Sequence, residues 1–542
     1  MMTRHRASAV SRPLCGLLAL AAAGVGAQGL SGGMGNNLGV GYGSASGNIH
    51  DVGTGGGGGV GSGSGGRAFY IVPTLSTTAT LTDNVNLSAT NKQADLILDV
   101  RPGIQIGGQT GRVRGFLDYT LLATFYARNE ESADFSNSLS ASANAEIVPN
   151  RLFVDVDARI SQQSISPFGT LTPDSSLNNS NNTEVTTVNV APYVKGQIAG
   201  QVNYLGRAFY TFTDSGTSQA SDSTVWGALL GFDSTTRWSQ LGWGLDFTYR
   251  EARFTNRRSE FDQLNVLSLN YAVTPELRVT LRGNIETSNL TTFENETTAG
   301  WGGGLRWTPS PRTNLFLDYD ERVFGNSHLY GFTYRTPRTV WAVSNRQGLS
   351  TGQFNGGQGN AGSPFDLLFA QFASVEPDPV ARAQLVNDYL RANNINPNSS
   401  LNTGFLPNQV TVERRQEASV SWLGTRSTLI FNVYQTQAQN PQSELVNPDD
   451  DFAGGNVIKW RGLSLNWSHR LTPLARLSVS GSGQRTSESF GGQETTIWTG
   501  LAMWSRQIAE RASVSLSARY TVQSGSSSYN ETALLATLNM TF

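Results

Sequence analysis

The chain has 542 residues, of which 15% are charged and 38% hydrophobic, and its net charge is -2. Soluble proteins carry roughly 25% charged residues, and a balance this close to zero makes no case for nucleic acid or for a polybasic membrane contact. Few charges without a surplus of apolar residues disfavours a soluble multidomain enzyme and suits a barrel that is apolar outside and polar inside.

At the start of the chain, Arg4, Arg6 and Arg12 precede an apolar run from Leu14 to Val25, followed by the small residues Gly26 and Ala27. This layout predicts a secretory signal peptide over residues 1–27. The single cysteine, Cys15, lies within it, so the mature chain is expected to hold no disulfide and no thiolate metal site. No later apolar run approaches the about 18 residues of a membrane helix, which leaves strands as the only means of crossing a bilayer. Residues 28–67 are mostly Gly, Ser and Asn. They read as a flexible linker with no room for a folded plug domain.

From residue 68 to 542 one unit repeats, an alternating polar and apolar run bounded by turn residues. Leu152, Val154, Val156, Ala158 and Ile160 share one side of such a run, with Phe153, Asp155, Asp157 and Arg159 on the other. Period-two alternation is the strand signal, since a helix needs a period near 3.6. Short turns recur at Pro149-Asn150, Thr274-Pro275, Thr308-Pro309, Thr336-Pro337 and Thr472-Pro473, where proline avoids the hydrogen-bond ladder. Longer Asn- and Ser-rich loops, such as residues 163–184 and 437–456, fall between them. This reading gives an all-β fold: a transmembrane antiparallel β-barrel of about 22 strands, bounded at 18 to 24. Aromatic residues near strand ends, among them Tyr70, Trp301, Trp307, Trp460, Trp467, Trp498 and Trp504, are expected to form interfacial girdles.

One segment breaks the pattern. Residues 347–407 are expected to form a partly helical insert in a long outer loop, because Ser363-Pro364 and Asp378-Pro379 read as helix starts before Phe365, Leu368, Phe369 and Phe372, and before Val386 and Leu390. It either packs on its own barrel or offers its apolar faces to a partner. At the end of the chain Leu538, Met540 and Phe542 share one strand face. This stretch resembles the assembly signal of bacterial outer-membrane barrels, which implies contact with the barrel-assembly machinery and with outer-membrane lipid.

Candidate chemistry is sparse. The histidines lie in no catalytic context, no His/Cys metal spacing exists, and no enzyme activity, cofactor or metal is expected. Asp83, Asn84 and Asn86 read either as a self-capped turn or as calcium ligands. The lumen-facing candidates are Arg114, Asp118, Asp155, Asp157, Arg159, Asp246, Arg278, Arg282, Arg506 and Arg519. They either tune what passes or brace the wall as ion pairs.

Two early segments, Thr82-Asp83-Asn84-Val85-Asn86-Leu87-Ser88 and Val100-Arg101-Pro102-Gly103, together with Ser363-Pro364-Phe365, Asp378-Pro379 and Ala381-Arg382, resemble the outer-membrane β-barrel proteins associated with PEP-CTERM/exosortase systems. The resemblance implies a Gram-negative outer-membrane location, a setting of exopolysaccharide synthesis and protein sorting, and exopolysaccharide or export-system proteins as partners. Three functions stay open at this point: a conduit for exopolysaccharide, a general diffusion porin, and a structural or docking barrel for surface components.

Overall fold

The computed structural model describes residues 69–542, except 110, 129–133, 173, 218–220, 236–239, 256, 443–451, 453–455 and, between 351 and 408, all but Leu368, Phe372 and Val386. The expected signal peptide and Gly-rich linker therefore lie outside the described residues. So does the helical insert, apart from those three residues, which are helical and buried. Residues 347–350, expected to belong to the insert, continue a strand instead.

The first half of the wall is β1 (Phe69–Thr82), β2 (Asp95–Gln109), β3 (Val113–Tyr126), β4 (Asp134–Val148), β5 (Leu152–Ser164), β6 (Asn182–Ile198), β7 (Val202–Asp214), β8 (Ser223–Thr235), β9 (Leu241–Phe254), β10 (Glu260–Thr274) and β11 (Leu277–Ser288). The second half is β12 (Glu296–Ser310), β13 (Thr313–Arg322), β14 (Gly325–Arg335), β15 (Thr339–Ser350), β16 (Thr411–Leu423), β17 (Ser427–Gln439), β18 (Val457–Arg470), β19 (Ala475–Glu488), β20 (Glu494–Ala509), β21 (Ala512–Gly525) and β22 (Tyr529–Thr541). Each strand pairs antiparallel with its neighbours in sequence, and β1 pairs with β22 from Thr74↔Thr541 to Thr82↔Ala533, which closes a 22-stranded barrel.

Alternation sorts the side chains to two surfaces. Leu267, Leu269, Leu281, Ile285, Trp301 and Leu534 stand exposed on the outside, while Asp262, Ser268, Arg282, Glu286 and Glu531, of opposite parity, are buried on the inside. A closed sheet satisfies every ladder group without water, and an apolar exterior meets lipid tails. This is a transmembrane β-barrel. Outward aromatics gather near both strand ends, with Tyr271, Trp307, Trp341 and Trp422 by the short turns and Tyr210, Trp226, Trp301 and Trp498 toward the other mouth. Tyr70 and Trp460 depart from the expected girdle. Both take inward parity, and Trp460 is buried among lumen residues.

The short turns lie at one end, which in transmembrane barrels is the periplasmic end. Their threonine-proline pairs have a local cause. The Thr274 hydroxyl accepts from the amides of Glu276 and Leu277, the Thr336 hydroxyl from Arg338 and Thr339, and the Thr472 hydroxyl from Leu474. The side chain thus satisfies amides that the turn leaves without ladder partners. Thr308-Pro309 differs from the expectation: it lies inside β12, at a bulge between Trp307 and Ser310, and the turn itself is Pro311-Arg312. Pro102 and Pro192 also sit within strands, where the β2–β3 and β6–β7 ladders skip them. The outer loops are less uniform than the sequence suggests, since β13 and β14 are joined by Val323 and Phe324 alone.

Candidate functional site

The lumen is the site, and its wall is braced by buried ion pairs. On β11 the guanidinium of Arg282 lies 2.6 Å from Asp320 and 2.9 Å from Asp318, both on β13, so it reaches over β12. Bare backbone there makes this possible. A Cβ on Gly302 would come within 2.0 Å of an Asp320 oxygen, and one on Gly304 within 2.6 Å of Asp318. In the opposite sense, Arg322 on β13 reaches back to Glu286 at 2.7 Å and Asp262 at 3.5 Å. Further round, Arg207 holds Asp155 at 2.9 Å, and Arg415 holds Glu417 at 3.0 Å. Each removes a charge from the water-facing lumen, and losing one partner would leave the other buried and uncompensated.

A segment that the sequence marks only as a polar loop bars the outer half of this lumen. Residues 165–181, between β5 and β6, fold inward and dock half-way round the 22-stranded barrel. Phe168 is buried with Tyr434, Ala438, Ile458 and Trp460, which point inward from β17 and β18. The carbonyl of Phe168 accepts from Thr495, that of Leu171 from Tyr529, and that of Gly169 from Gln523. Gln523 returns a bond by accepting from the Leu171 amide. Buried backbone groups need partners, and this crossbar finds them on inward side chains of β20, β21 and β22.

An ion triad latches its tip. Arg519 on β21 donates to Asp174 of the crossbar at 2.6 Å and to Glu531 on β22 at 2.8 Å. The Asp174 carboxylate also accepts from the Ser176 amide, and the Ser176 hydroxyl donates to Asp99 on β2 at 2.7 Å. Burial alone would lift the Asp174 carboxyl, but the Arg519 guanidinium and the Ser176 donors outweigh it and hold it below the ordinary carboxylate range.

The β1–β2 loop packs beside the crossbar. Val85 and Leu87 are buried with Leu177, Ile97 and Tyr529, and the Asn178 side chain donates to Asn86. Leu87 has φ 50°, a left-handed conformation that a bulky residue keeps only under strong packing. Asn84 is buried, exchanges bonds with Ser88 and donates to the Asn530 carbonyl, while Asp83 accepts from the Thr532 amide. These residues form a turn capped on its own backbone and on β22. Among the described residues no group of three or more acidic, His or Cys side chains could hold a metal ion.

Two further clusters fill the lumen. Ala191, Phe209, Val225, Ala252 and Phe254, on β6 to β9, pack with Leu349, Val410 and Val412 at the outer ends of β15 and β16. Leu368, Phe372 and Val386 pack with Val340 and Ile430, inward residues close to the periplasmic turns. Below the crossbar a cavity of about 630 Å³ runs from Arg511 and Ala512, at the β20–β21 turn, up to Asp174 and Arg519.

Of the residues proposed for the lumen, Arg114, Asp118, Asp155, Asp157, Arg159, Asp246, Arg278, Arg282 and Arg519 carry the inward parity of their strands. Arg282, Asp155 and Arg519 enter ion pairs, Asp118 accepts from Gln105 at 3.2 Å, and Arg278 lies opposite Arg306 across β11 and β12. Arg506 differs. It pairs with Val514 and shares the outward parity of Trp498 and Trp504, reaching the cavity only at its rim. That end of β20 carries polar residues on both faces, Ser505 and Gln507 inward and Arg506 outward, so alternation does not tell the faces apart. Leu538, Met540 and Phe542 lie along the outward face at the seam, where the Phe542 amide donates to the Pro73 carbonyl at 3.0 Å. His469 accepts or donates through Nδ1 to Ser427 at 2.7 Å and stacks on Trp467, an outward pair beside a turn. The crossbar's partners leave no local mark in the chain, because Asp174, Thr495, Gln523 and Tyr529 become neighbours only when the barrel closes.

No family model matches the chain, and no curated protein does. Among solved structures it is similar to the siderophore receptor PirA from Acinetobacter baumannii, with 9% identity over 87% of this chain and 80% of that one and a TM-score of 0.47. It is similar to the FrpB iron transporter from Neisseria meningitidis, with 11% identity over 87% and 81% of the two chains and a TM-score of 0.46. OccK2 (OpdF) of Pseudomonas aeruginosa shares 9% identity over 87% of this chain and 98% of its own, with a TM-score of 0.33.

Proposed function

We propose that the protein is an outer-membrane conduit, closed at its outer mouth by its own loops, through which a secreted polysaccharide leaves the cell. The observation that carries this reading is the crossbar, which docks Phe168 on β17 and β18 across the lumen and is latched to β21 through Asp174 and Arg519. A 22-stranded barrel is wide enough that it stands either open or filled. Among the described residues the filling comes from loops, and a cavity is left on the periplasmic side. That asymmetry suits outward passage, in which cargo enters from the periplasm and displaces the outer loops. Exopolysaccharide as the cargo, and an exosortase-type gene setting, rest on the sequence resemblance.

Single-channel conductance of the refolded protein in a planar bilayer tests this, beside a variant whose residues 167–178 are replaced by a short Gly-Ser turn. A low-conducting intact barrel and a variant with several-fold larger current are expected. Equal large currents from both would favour a standing diffusion pore, and silence from both would leave a docking barrel as the better description.

A further inference from the structure

We propose that the cavity beneath the crossbar is a binding site for a carboxylate-bearing polysaccharide. This rests on the conduit reading above and names its substrate class. Arg101, Arg476, Arg506, Arg511 and Arg519 line the cavity against three carboxylates, Asp99, Asp174 and Glu510. Two of those carboxylates are already committed inside the wall. Asp99 lies 3.3 Å from Arg101 and accepts from Thr124 and Ser176, and Asp174 is held by Arg519. The lining as a whole thus carries five guanidinium groups against three carboxylates, with Arg476 and Arg511 toward the mouth beside Glu510.

The remaining lining points to a sugar chain. Ser513, Ser515, Ser517, Thr537, Asn539 and Thr541 supply hydroxyls and an amide along β21 and β22. Successive inward residues of one strand lie roughly 7 Å apart, so the serines make a row that climbs from the turn to Arg519. Hydroxyls and amides both donate and accept, which matches the hydroxyls of a saccharide. No aromatic side chain lines the cavity, and a nucleic acid strand would lack a surface on which to stack its bases. The serine row meets the sugar hydroxyls while the arginines at the mouth take the carboxylates.

The full chain, refolded in detergent, is titrated with fluorescently labelled oligogalacturonate and, separately, with neutral dextran of matched length. Tighter binding of the anionic oligomer by about ten-fold or more is expected, together with a loss of about ten-fold in Arg476→Gln/Arg511→Gln and weakening by salt. Arg511 is exposed in a turn, so Arg511→Gln alone, expected to weaken binding by about three-fold, replaces the double variant should that one fail to fold. Equal affinity for both oligomers, no binding, or an unchanged affinity in the variants overturns the site. A barrel that conducts but does not prefer the anion would sink this proposal and leave the conduit standing. A silent barrel that prefers it would do the reverse.

Discussion

The two ends of the barrel are built by different physics. At the periplasmic end a turn is finished within three residues, as where Thr336 caps the amides of Arg338 and Thr339. At the outer end the crossbar is held largely by groups from distant parts of the chain, Thr495 lying 327 and Tyr529 358 residues from the carbonyls they bind. The first kind of structure depends on local chemistry and survives changes elsewhere. The second exists only once the barrel is closed, and is the part able to open without unfolding the wall.

That contrast can be broken at the latch, where the largest effect is expected. Arg519→Leu leaves Asp174 and Glu531 buried without their cation, and a cost of about 3–5 kcal/mol is expected in the urea midpoint of barrel unfolding. Asp174→Asn is milder, since the crossbar alone is released. It should raise single-channel conductance while the wall stays folded, as judged by heat-modifiable migration on gels.

Phe168→Ala probes the same end through packing. Removing this ring from its place beside Tyr434 and Trp460 should cost about 3 kcal/mol, felt as docking rather than as global stability. Protease cleavage within residues 165–181 of the folded barrel is the readout, and unchanged protection would mean that the polar contacts alone hold the crossbar.

Acid should act on one end only. The Asp174 carboxyl is held below its ordinary range, so its contribution is fully present above the unfolded value of about 3.9 and is lost as pH falls through the lower folded value. The crossbar is thus expected to stay latched from neutral pH down to about pH 4 and to loosen only below it. A conductance that rises already at pH 6 would assign the latch to another group.

The smallest effects belong to the periplasmic turns. Thr336→Val removes an acceptor for two amides and should lower stability by about 1 kcal/mol with no change in conductance. At the β6–β7 turn Ala199 has φ 51° and Gly200 φ 67°. Asparagine tolerates that conformation better than alanine, so Ala199→Asn should raise the unfolding midpoint by the equivalent of a few tenths of a kcal/mol. A conductance change in either variant would join the two ends after all.

The same difference explains what could be read from the sequence. Alternation gave the strands, because each of Leu152, Val154 and Val156 needs only its neighbours to declare its face. The expected count of about 22 strands is the count observed, from β1 to β22. Alternation failed at Arg506, where both faces of β20 are polar, and at Trp460, whose ring turns inward to meet Phe168. Arg282 could be placed in the lumen but its partners could not, since Asp318 and Asp320 lie beyond the intervening strand. The crossbar was hidden for the same reason. Nothing local in residues 165–181 distinguishes a loop that waves in solvent from one that docks on β17 to β22.

The β1–β22 seam has a consequence for the order of assembly. Thr78 and Thr537, hydrogen-bonded across it at 3.0 Å, are 459 residues apart, whereas every other neighbouring pair of strands is joined by a single connection. Strand β1 must therefore wait as an open edge while twenty-one later strands are laid down, and long-range pairing of this kind is slow. A waiting edge invites pairing with the wrong chain. Pro73 sits in β1 with no amide to offer, and its carbonyl is the group that finally receives Phe542. The first strand is thereby a poor template for strangers and a good one for its own last strand.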